Sequence, residues 1–205
     1  LLLCENQLHV GRQFRELVAA HLSPDEAALL DRTGFVETVV SRMVPELSPE
    51  ERAADPLRVV VEDYDRLPVD ATAFRSPLPS APGLEPTDRF AGFFERKLFS
   101  HNLGHAVAAY LGHAAGLDCV HEAMADAAIA ARVRGAMDEA GVGLVARWRF
   151  SSEEQAAHAE GLMARFANAA LRDTVVRVGR DPLRKLRPDD RLIGGALLAL
   201  EHGVE

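Results

Sequence analysis

The segment Glu95-Arg96-Lys97-Leu98-Phe99-Ser100-His101-Asn102-Leu103-Gly104-His105 gathers a lysine, a carboxamide and two imidazoles within eleven residues. On a helix turning about 100° per residue, Lys97, His101, Asn102 and His105 fall within an arc of roughly 140°. Phe93, Phe94, Leu98, Val107, Ala108 and Leu111 fill most of the remaining surface, which predicts that the polar group faces an interior cleft. Desolvation disfavours an ammonium ion and lowers a lysine pKa. A lysine so placed can act as a base near neutral pH, and a carboxamide and an imidazole beside it can hold an oxygen. The same residues also allow a structural arrangement. In that case Lys97 extends along the surface to water, while Asn102 and the histidines satisfy one another between helices.

A second group lies further on. Arg172, Arg177, Arg180, Arg184, Lys185, Arg187 and Arg191 fall within twenty residues of a chain that is acidic overall. Arginine forks match phosphate and carboxylate geometry, which points to a small anionic substrate. The alternative is a solvated loop whose cations offset helix C-termini or pair with Asp173, Asp181, Asp189 and Asp190. Asn6 follows the apolar run Leu1-Leu2-Leu3-Cys4. If that run is a short buried strand, Asn6 stands at its carboxyl end, the edge where open α/β sheets bind ligands. A plain turn asparagine fits equally.

The elements that must carry these residues change character along the chain. Leu8 to Leu22 has helical spacing, and Ser23-Pro24-Asp25-Glu26 is a helix start with a hydroxyl cap, an early proline and first-turn acids. Gly34 to Pro45 is β-branched and reads as a strand, and Pro56 to Glu62 as a second, with a charged loop from Pro45 to Asp55 between them. Val69 to Leu84 contains Pro77, Pro79 and Pro82, which regular structure would not tolerate, and a domain boundary is expected there. Beyond it the pattern is helical: Thr87 to about Ala115, Cys119 to about Ala140 with an end expected at Gly141, Gly143 to Phe150 where the pattern is ambiguous between helix and strand and leans to helix, Ser151 to about Phe166, and Asp189 to about Glu201. A short α/β part is thus followed by an all-helical part.

Composition narrows the function classes. The 205 residues are 48% hydrophobic and 26% charged, with a net charge of −8, ordinary for a soluble protein with a sizeable core. That charge argues against a general nucleic-acid or anionic-membrane binder, because both need basic surface. Cys4 and Cys119 are far apart and fit a reduced compartment, and no Cys/His spacing suits zinc, so no metal is expected. No apolar run reaches membrane-spanning length and no signal-peptide pattern is visible, so a cytoplasmic protein is expected. The opening apolar run without methionine, and the stop after an apolar helical segment, suggest a piece of a longer polypeptide.

Lys97, Asn102 five residues on and His105 eight residues on resemble the signature of the polyol-specific long-chain dehydrogenases. The wider run through Gly104-His105-Ala106 and Ala109-Tyr110-Leu111-Gly112 is similar to the mannitol-1-phosphate 5-dehydrogenase branch. So are Val176-Arg177-Val178-Gly179-Arg180-Asp181-Pro182-Leu183-Arg184-Lys185-Leu186, Asp190-Arg191-Leu192, Cys4-Glu5-Asn6 and Gly34-Phe35-Val36. The resemblance implies a mostly α, α+β piece. Residues 1–75 would be the end of a Rossmann-like nucleotide-binding domain, and residues 76–205 an all-helical substrate domain. It implies hydride transfer between NAD and a secondary alcohol of a hexitol phosphate without metal. Lys97 would be the general base, and Asn102 and Asn6 would donate hydrogen bonds to the developing alkoxide. His105 would orient a substrate hydroxyl, Arg177 and Lys185 would bind the far end of the substrate, and Arg180 and Arg184 would suit a phosphate there. The expected partner is a small sugar phosphate, with a monomer as the default state.

Two departures from that family bear on the expectation. Ser41-Arg42-Met43 stands where the family carries Asp-Arg-Ile, and no Gly-x-Gly-x-x-Gly follows a strand anywhere in the chain. The family places that fingerprint ahead of the position of Leu1, so this chain alone is expected to be inactive. Two alternatives follow: a relative acting on an unphosphorylated polyol or a sugar acid, and a non-catalytic helical domain that binds a sugar phosphate or a protein partner.

Overall fold

In the computed structural model, which describes residues 1–204, strands form where a partner strand is available rather than wherever β-branched residues cluster. β1 (Leu2–Leu3) pairs in parallel with β2 (Val36–Glu37), and β3 (Leu67–Asp70) pairs in parallel with β4 (Leu84–Thr87). A single antiparallel bridge joins Thr38 to Val69. The strand expected over Gly34–Pro45 therefore shrinks to two residues, and Pro56–Glu62 forms none. β-propensity records how well a side chain fits a paired, half-buried surface, and an unpaired run gains nothing from it. Leu1–Cys4 is also not buried as expected, since Leu2 is 46% exposed on a two-stranded sheet. Pro77, Pro79 and Pro82 fall in an irregular link as expected, flanked by β3 with a 3₁₀ turn at Ala71–Ala73 and by β4. The whole stretch from Val69 to Leu84, however, lies inside one compact unit rather than at a boundary between units.

The chain divides into two compact units. The first comprises Leu1–Arg42 and Asp63–Phe94, and the second comprises Met43–Glu62 and the residues from Glu95 onward. In the first unit α1 (Val10–Ala19) has no cap of its own. Instead the Glu37 carboxylate accepts from the N–H groups of His9 at 2.9 Å and Gly11 at 3.2 Å. Placing an acid at a helix N-terminus satisfies orphan donors and complements the macrodipole. Gly11 is required by that approach, because a Cβ there would lie 2.7 Å from the Phe35 carbonyl oxygen. Ser23 and Glu26 form the expected capping box ahead of α2 (Ala28–Arg32).

The second unit contains a helix in the expected charged loop. α3 (Pro49–Ala54) is capped by Ser48 and Glu51, with the Glu51 N–H donating to Ser48 Oγ at 3.2 Å. Ser48-Pro49-Glu50-Glu51 has the same start pattern as Ser23-Pro24-Asp25-Glu26, so the signal was present in the sequence. From Phe90 onward the chain is helical, as the pattern predicts, although Thr87, the expected start, belongs to β4. α4 (Phe90–Arg96) begins in the first unit, and α5 (Leu103–Ala114), α6 (Val120–Ala125), α7 (Ala127–Trp148), α8 (Ser152–Phe166), α9 (Val175–Gly179), α10 (Pro182–Lys185) and α11 (Ile193–Glu201) follow in the second. α6 and α7 were expected as one helix. Asp126 divides them by accepting from the N–H groups of Ala128 and Ile129 at 2.8 and 3.0 Å. α9 and α10 lie in the basic segment for which no helix was expected.

α7 is the axis of this unit, in contact with α5, α8 and α11. Its Val133 and Met137 are buried with Ala109, Val120, Leu162, Phe166 and Val175. Its Ala140 and Leu144 join Phe99, Leu103 and Leu198 in a second apolar cluster. No helix among the described residues is long and apolar enough to cross a membrane. Close packing against α11 depends on Gly143, where a Cβ would lie 2.5 Å from Leu198 Cγ and 2.7 Å from the Leu198 carbonyl oxygen. Gly143→Ala should therefore destabilise the protein by about 1–3 kcal/mol in equilibrium urea unfolding. Gly135→Ala in the same helix, where a methyl group meets nothing within 4 Å, should stabilise it by roughly 0.5–1 kcal/mol. Effects of the same sign at both positions would contradict this packing.

Candidate active site

Between α4 and α5 the helix does not stay α. Lys97–Asn102 is a π turn, and the Leu103 N–H reaches back five residues to the Leu98 carbonyl. A π turn inserts one residue into the helix, so everything after it lags by about 100°. Lys97 and Asn102, about 140° apart on an unbroken α-helix, come to lie about 40° apart, and His105 lies roughly 20° to the other side of Lys97. The expected polar arc is narrower than α-helical phasing predicts. His101 is buried, with its ring 5.7 Å from Phe166 in an edge-on contact and 6.0 Å from His105. Burial, followed by the nearby His105, holds its imidazole neutral.

Surrounding contacts fix the turn. Glu95, just before it, accepts from Trp148 Nε1 at 2.7 Å and from Arg147 Nη1 at 3.2 Å. Ser100, fully buried, is held by Gln155 Nε2 donating to its Oγ at 3.0 Å. Gly104 lets the turn approach the core, since a Cβ there would lie 2.7 Å from Met137 Sδ and 3.0 Å from Phe166. Lys97 and Asn102 are left half-buried. Burial, reinforced by the neighbouring charge of Arg191, lowers the Lys97 amine from 10.5 to about 8.

His105 is held by packing beside a buried carboxylate. Its ring stacks on Phe166 at 4.9 Å and 10°, and Nε2 lies 3.1 Å from Asp173 Oδ2. Asp173 is buried and also ion-paired with Arg177. Its backbone is fixed against the start of α6, with Val120 N–H donating to the Asp173 carbonyl at 2.9 Å and Cys119 bridged to Thr174. Because Arg177 takes up the Asp173 charge, the aspartate does not drive His105 to protonate. Burial first, then the cations Arg177, Arg191 and Arg165, lower that imidazole to about 3. A neutral imidazole can both donate and accept a hydrogen bond.

Of the predicted basic residues, Arg177 and Lys185 belong with this group. Lys185 is buried, and burial followed by Arg191 and Arg184 lowers its amine below the usual lysine range. Arg180 and Arg184 are engaged by carboxylates, and Arg184 shares Asp190 with Arg191. Arg180 is exposed and lies 3.7 Å from Glu46, and Arg184 pairs with Asp181 at 2.9 Å and with Asp190 at 3.4 Å. Arg187 pairs with Asp189 at 2.9 Å. Much of the basic run is thus engaged by the aspartates that the sequence alternative named. Asn6 lies in the first unit, in an exposed bend after β1.

Three residues not selected from the sequence complete the group. Arg191, only 13% exposed and with Nε 2.8 Å from Asp190 Oδ1, acts electrostatically on Lys97, His105, Tyr110 and Lys185. It was one of seven basic residues in the run, and only tertiary packing separates it from the solvated ones. Asp173 carried a signal in its i,i+4 spacing to Arg177. Arg165 carried none; it grips Glu62 through Nε at 2.8 Å and Nη2 at 2.5 Å, and Glu62 in turn accepts from the Met43 N–H at 2.6 Å. Among the described residues no group of three or more His, Cys, Asp or Glu is placed to hold a metal ion.

The lowered Lys97 pKa is also a statement about stability. A lysine whose ammonium form is disfavoured by folding weakens the fold fully below pH 8, and the penalty fades as pH rises from about 8 to 10.5. Its full size is on the order of 3 kcal/mol. Lys97→Met should therefore raise stability at pH 7 by about 1–3 kcal/mol, with the gain shrinking toward pH 10.5. Thermal unfolding across that range measures it; a destabilised variant at pH 7 would mean that burial imposes no cost on this amine.

The fold has solved counterparts. A D-sorbitol dehydrogenase in substrate-free form superposes with a TM-score of 0.79 at 19% identity, over 100% of this chain and 44% of the other. The Pseudomonas fluorescens mannitol 2-dehydrogenase in ternary complex with NAD and D-mannitol gives 0.66 at 23% identity, over 98% of this chain and 45% of the other. The chain spans less than half the length of either protein, and at these identities the likeness establishes the fold. Residues 1–83 match the mannitol dehydrogenase Rossmann domain and residues 90–205 the mannitol dehydrogenase C-terminal domain. A Rossmann-type piece followed by a helical C-terminal domain is thus the architecture, and the chain belongs to the mannitol dehydrogenase family.

Proposed function

We propose that the protein to which this chain belongs is an NAD-dependent polyol dehydrogenase, and that its substrate pair is a hexitol phosphate and the corresponding ketose phosphate, D-mannitol 1-phosphate and D-fructose 6-phosphate. The observation that carries the reading is Lys97, an amine lowered to about 8 on a π turn and about two helical turns from the neutral imidazole of His105. The Rossmann-type match is consistent with a dinucleotide. So is a cavity of about 450 Å³ in the first unit, lined by Cys4, Ser41, Arg42 and Tyr64 where β1 and β2 end. Parallel sheets take ligands at that edge. When bound, NAD supplies the hydride acceptor for alcohol oxidation and, reduced, the donor for ketone reduction.

In oxidation the neutral Lys97 amine takes the hydroxyl proton as the carbinol carbon loses hydride. In reduction the ammonium returns that proton to the forming alkoxide. Asn102 stabilises the alkoxide by donating a hydrogen bond. His105, its ring fixed by Phe166 and Asp173, orients a neighbouring substrate hydroxyl. Arg177 and Lys185 hold the far end of the sugar chain. Arg191 keeps the Lys97 proton labile by raising the local positive potential. The enzyme would work as a cytoplasmic monomer and need no metal.

An unphosphorylated polyol or a sugar acid is the second reading. It is favoured by Arg180 and Arg184, whose guanidinium groups are already engaged by Glu46, Asp181 and Asp190. The full-length protein should oxidise NADH with fructose 6-phosphate and scarcely with fructose; equal rates would select the unphosphorylated substrate. Its kcat/KM for alcohol oxidation should rise with pH and level off above about 8, following the free Lys97 amine. Lys97→Ala should lower kcat roughly 10²- to 10⁴-fold while NADH binding is retained. Near-normal turnover in that variant would remove Lys97 from the role of base.

A further inference from the structure

Arg177 has a second face. Besides pairing with Asp173, it lines a cavity of about 410 Å³ in the helical unit, together with Glu46, Arg52, Arg58, Val59 and Val60. That volume suits a small ligand or part of one. The wall opposite Arg177 is the segment from Met43 to Glu62, held to the helices at several points. Met43 is buried in the larger core cluster and Glu62 is gripped by Arg165 at 2.5 and 2.8 Å. Glu51 lies 3.2 Å from Arg172 Nη1. These ties fix the position of α3 and the turn after it, and with them Arg52 and Arg58.

The charge of this cavity is out of character for the chain. Three arginines and one glutamate line it, in a protein of net charge −8. Arg177, Arg180, Arg184, Arg187 and Arg191 each have a carboxylate partner. Arg52 and Arg58 are exposed and, among the described residues, have no carboxylate oxygen within 4.0 Å of their guanidinium nitrogens. Arg58 acts on Glu51 only at longer range, so the fork donors of both face an incoming anion. Glu46, the one carboxylate among the described residues that line the cavity, lies 3.7 Å from Arg180 and also acts on Arg177.

We infer that this cavity binds the phosphate monoester of the substrate, with Arg52 and Arg58 as its ligands and Arg177 joining the phosphate subsite to the group around His105 and Lys97. The inference rests on the dehydrogenase reading for the rest of the substrate, but the subsite is defined by its own residues. A dianion matches two or three guanidinium forks better than a monoanionic carboxylate does, since each fork contributes charge-assisted hydrogen bonds. It also accounts for the engagement of Arg180 and Arg184, which leaves phosphate recognition to another pair.

The test is an Arg52→Ala/Arg58→Ala variant of the full-length protein, with inorganic phosphate as an independent probe. KM for fructose 6-phosphate should rise on the order of 10- to 100-fold with kcat changed little. Inorganic phosphate should inhibit the wild type competitively against fructose 6-phosphate and inhibit the variant far less. Arg52→Lys/Arg58→Lys, which keeps charge but not the forks, should fall between the two, and unchanged NADH binding and melting temperature establish that each variant is folded. If the wild type prefers fructose 6-phosphate but KM and phosphate inhibition are unchanged in the alanine variant, the subsite is refuted and the dehydrogenase reading stands. If the wild type shows no dehydrogenase activity, yet binds phosphate calorimetrically and the variant does not, the subsite stands and the dehydrogenase reading falls. An increased KM for fructuronate, with fructose 6-phosphate unaffected, would assign the cavity to a carboxylate and overturn the inference.

Discussion

A lysine amine kept partly out of water, beside the guanidinium of Arg191, is the constraint to which the helical unit answers. An ammonium in that position works against folding, so packing elsewhere must hold the surrounding elements in place. α7 does this by carrying both apolar clusters and meeting α5, α8 and α11. Glu95, Trp148, Ser100 and Gln155 fix the helix on either side of the π turn by hydrogen bonds, so the turn cannot relax toward water by fraying. The strain of one inserted residue is thereby located at Lys97–Asn102, where it brings three polar side chains into one row.

Electrostatics around His105 follow from the same economy. Asp173 could have held the imidazole protonated, but Arg177 takes up its charge, and the cations that act on His105 keep it neutral. The result is a site of net positive potential built from a neutral imidazole, a labile amine and guanidinium groups, inside a chain whose overall charge is negative. Such a field favours an alkoxide or a phosphate over a cationic ligand. It also explains why so many of the arginines outside the site carry carboxylate partners: each pair removes a positive charge that would otherwise compete.

Local signals in the sequence led to correct elements wherever the stabilising contacts are themselves local. The caps at Ser23 and Ser151, the helical spacing from Thr87 onward and the proline-rich break between β3 and β4 all depend on neighbours within a few residues. Ser48 shows that such a signal can be present and passed over when a charged stretch is read as loop. Strands failed for the opposite reason. Gly34–Pro45 and Pro56–Glu62 have β-branched residues, but whether they pair depends on what lies alongside, and only Val36–Glu37 finds a partner strand. The cap of α1 is equally non-local, since Glu37 supplies it from a strand 26 residues beyond Gly11.

Of the site itself, residue type and spacing alone determined the grouping of Lys97, Asn102 and His105, because all three lie on one continuous helix and covalent connection fixes their separation. They also determined that Lys97 would have a lowered pKa, since the apolar residues around it have few places to go but inward. Tertiary structure decided the rest. The π turn sets the angle between Lys97 and Asn102, and packing against Phe166 buries His101. Packing also sorted a run of like cations into different fates: Arg191 and Lys185 drawn inward, Arg180, Arg184 and Arg187 left exposed in ion pairs. Sequence cannot distinguish one arginine in such a run from the next, because a guanidinium's surroundings are supplied by other elements, and its chemistry is set by those surroundings.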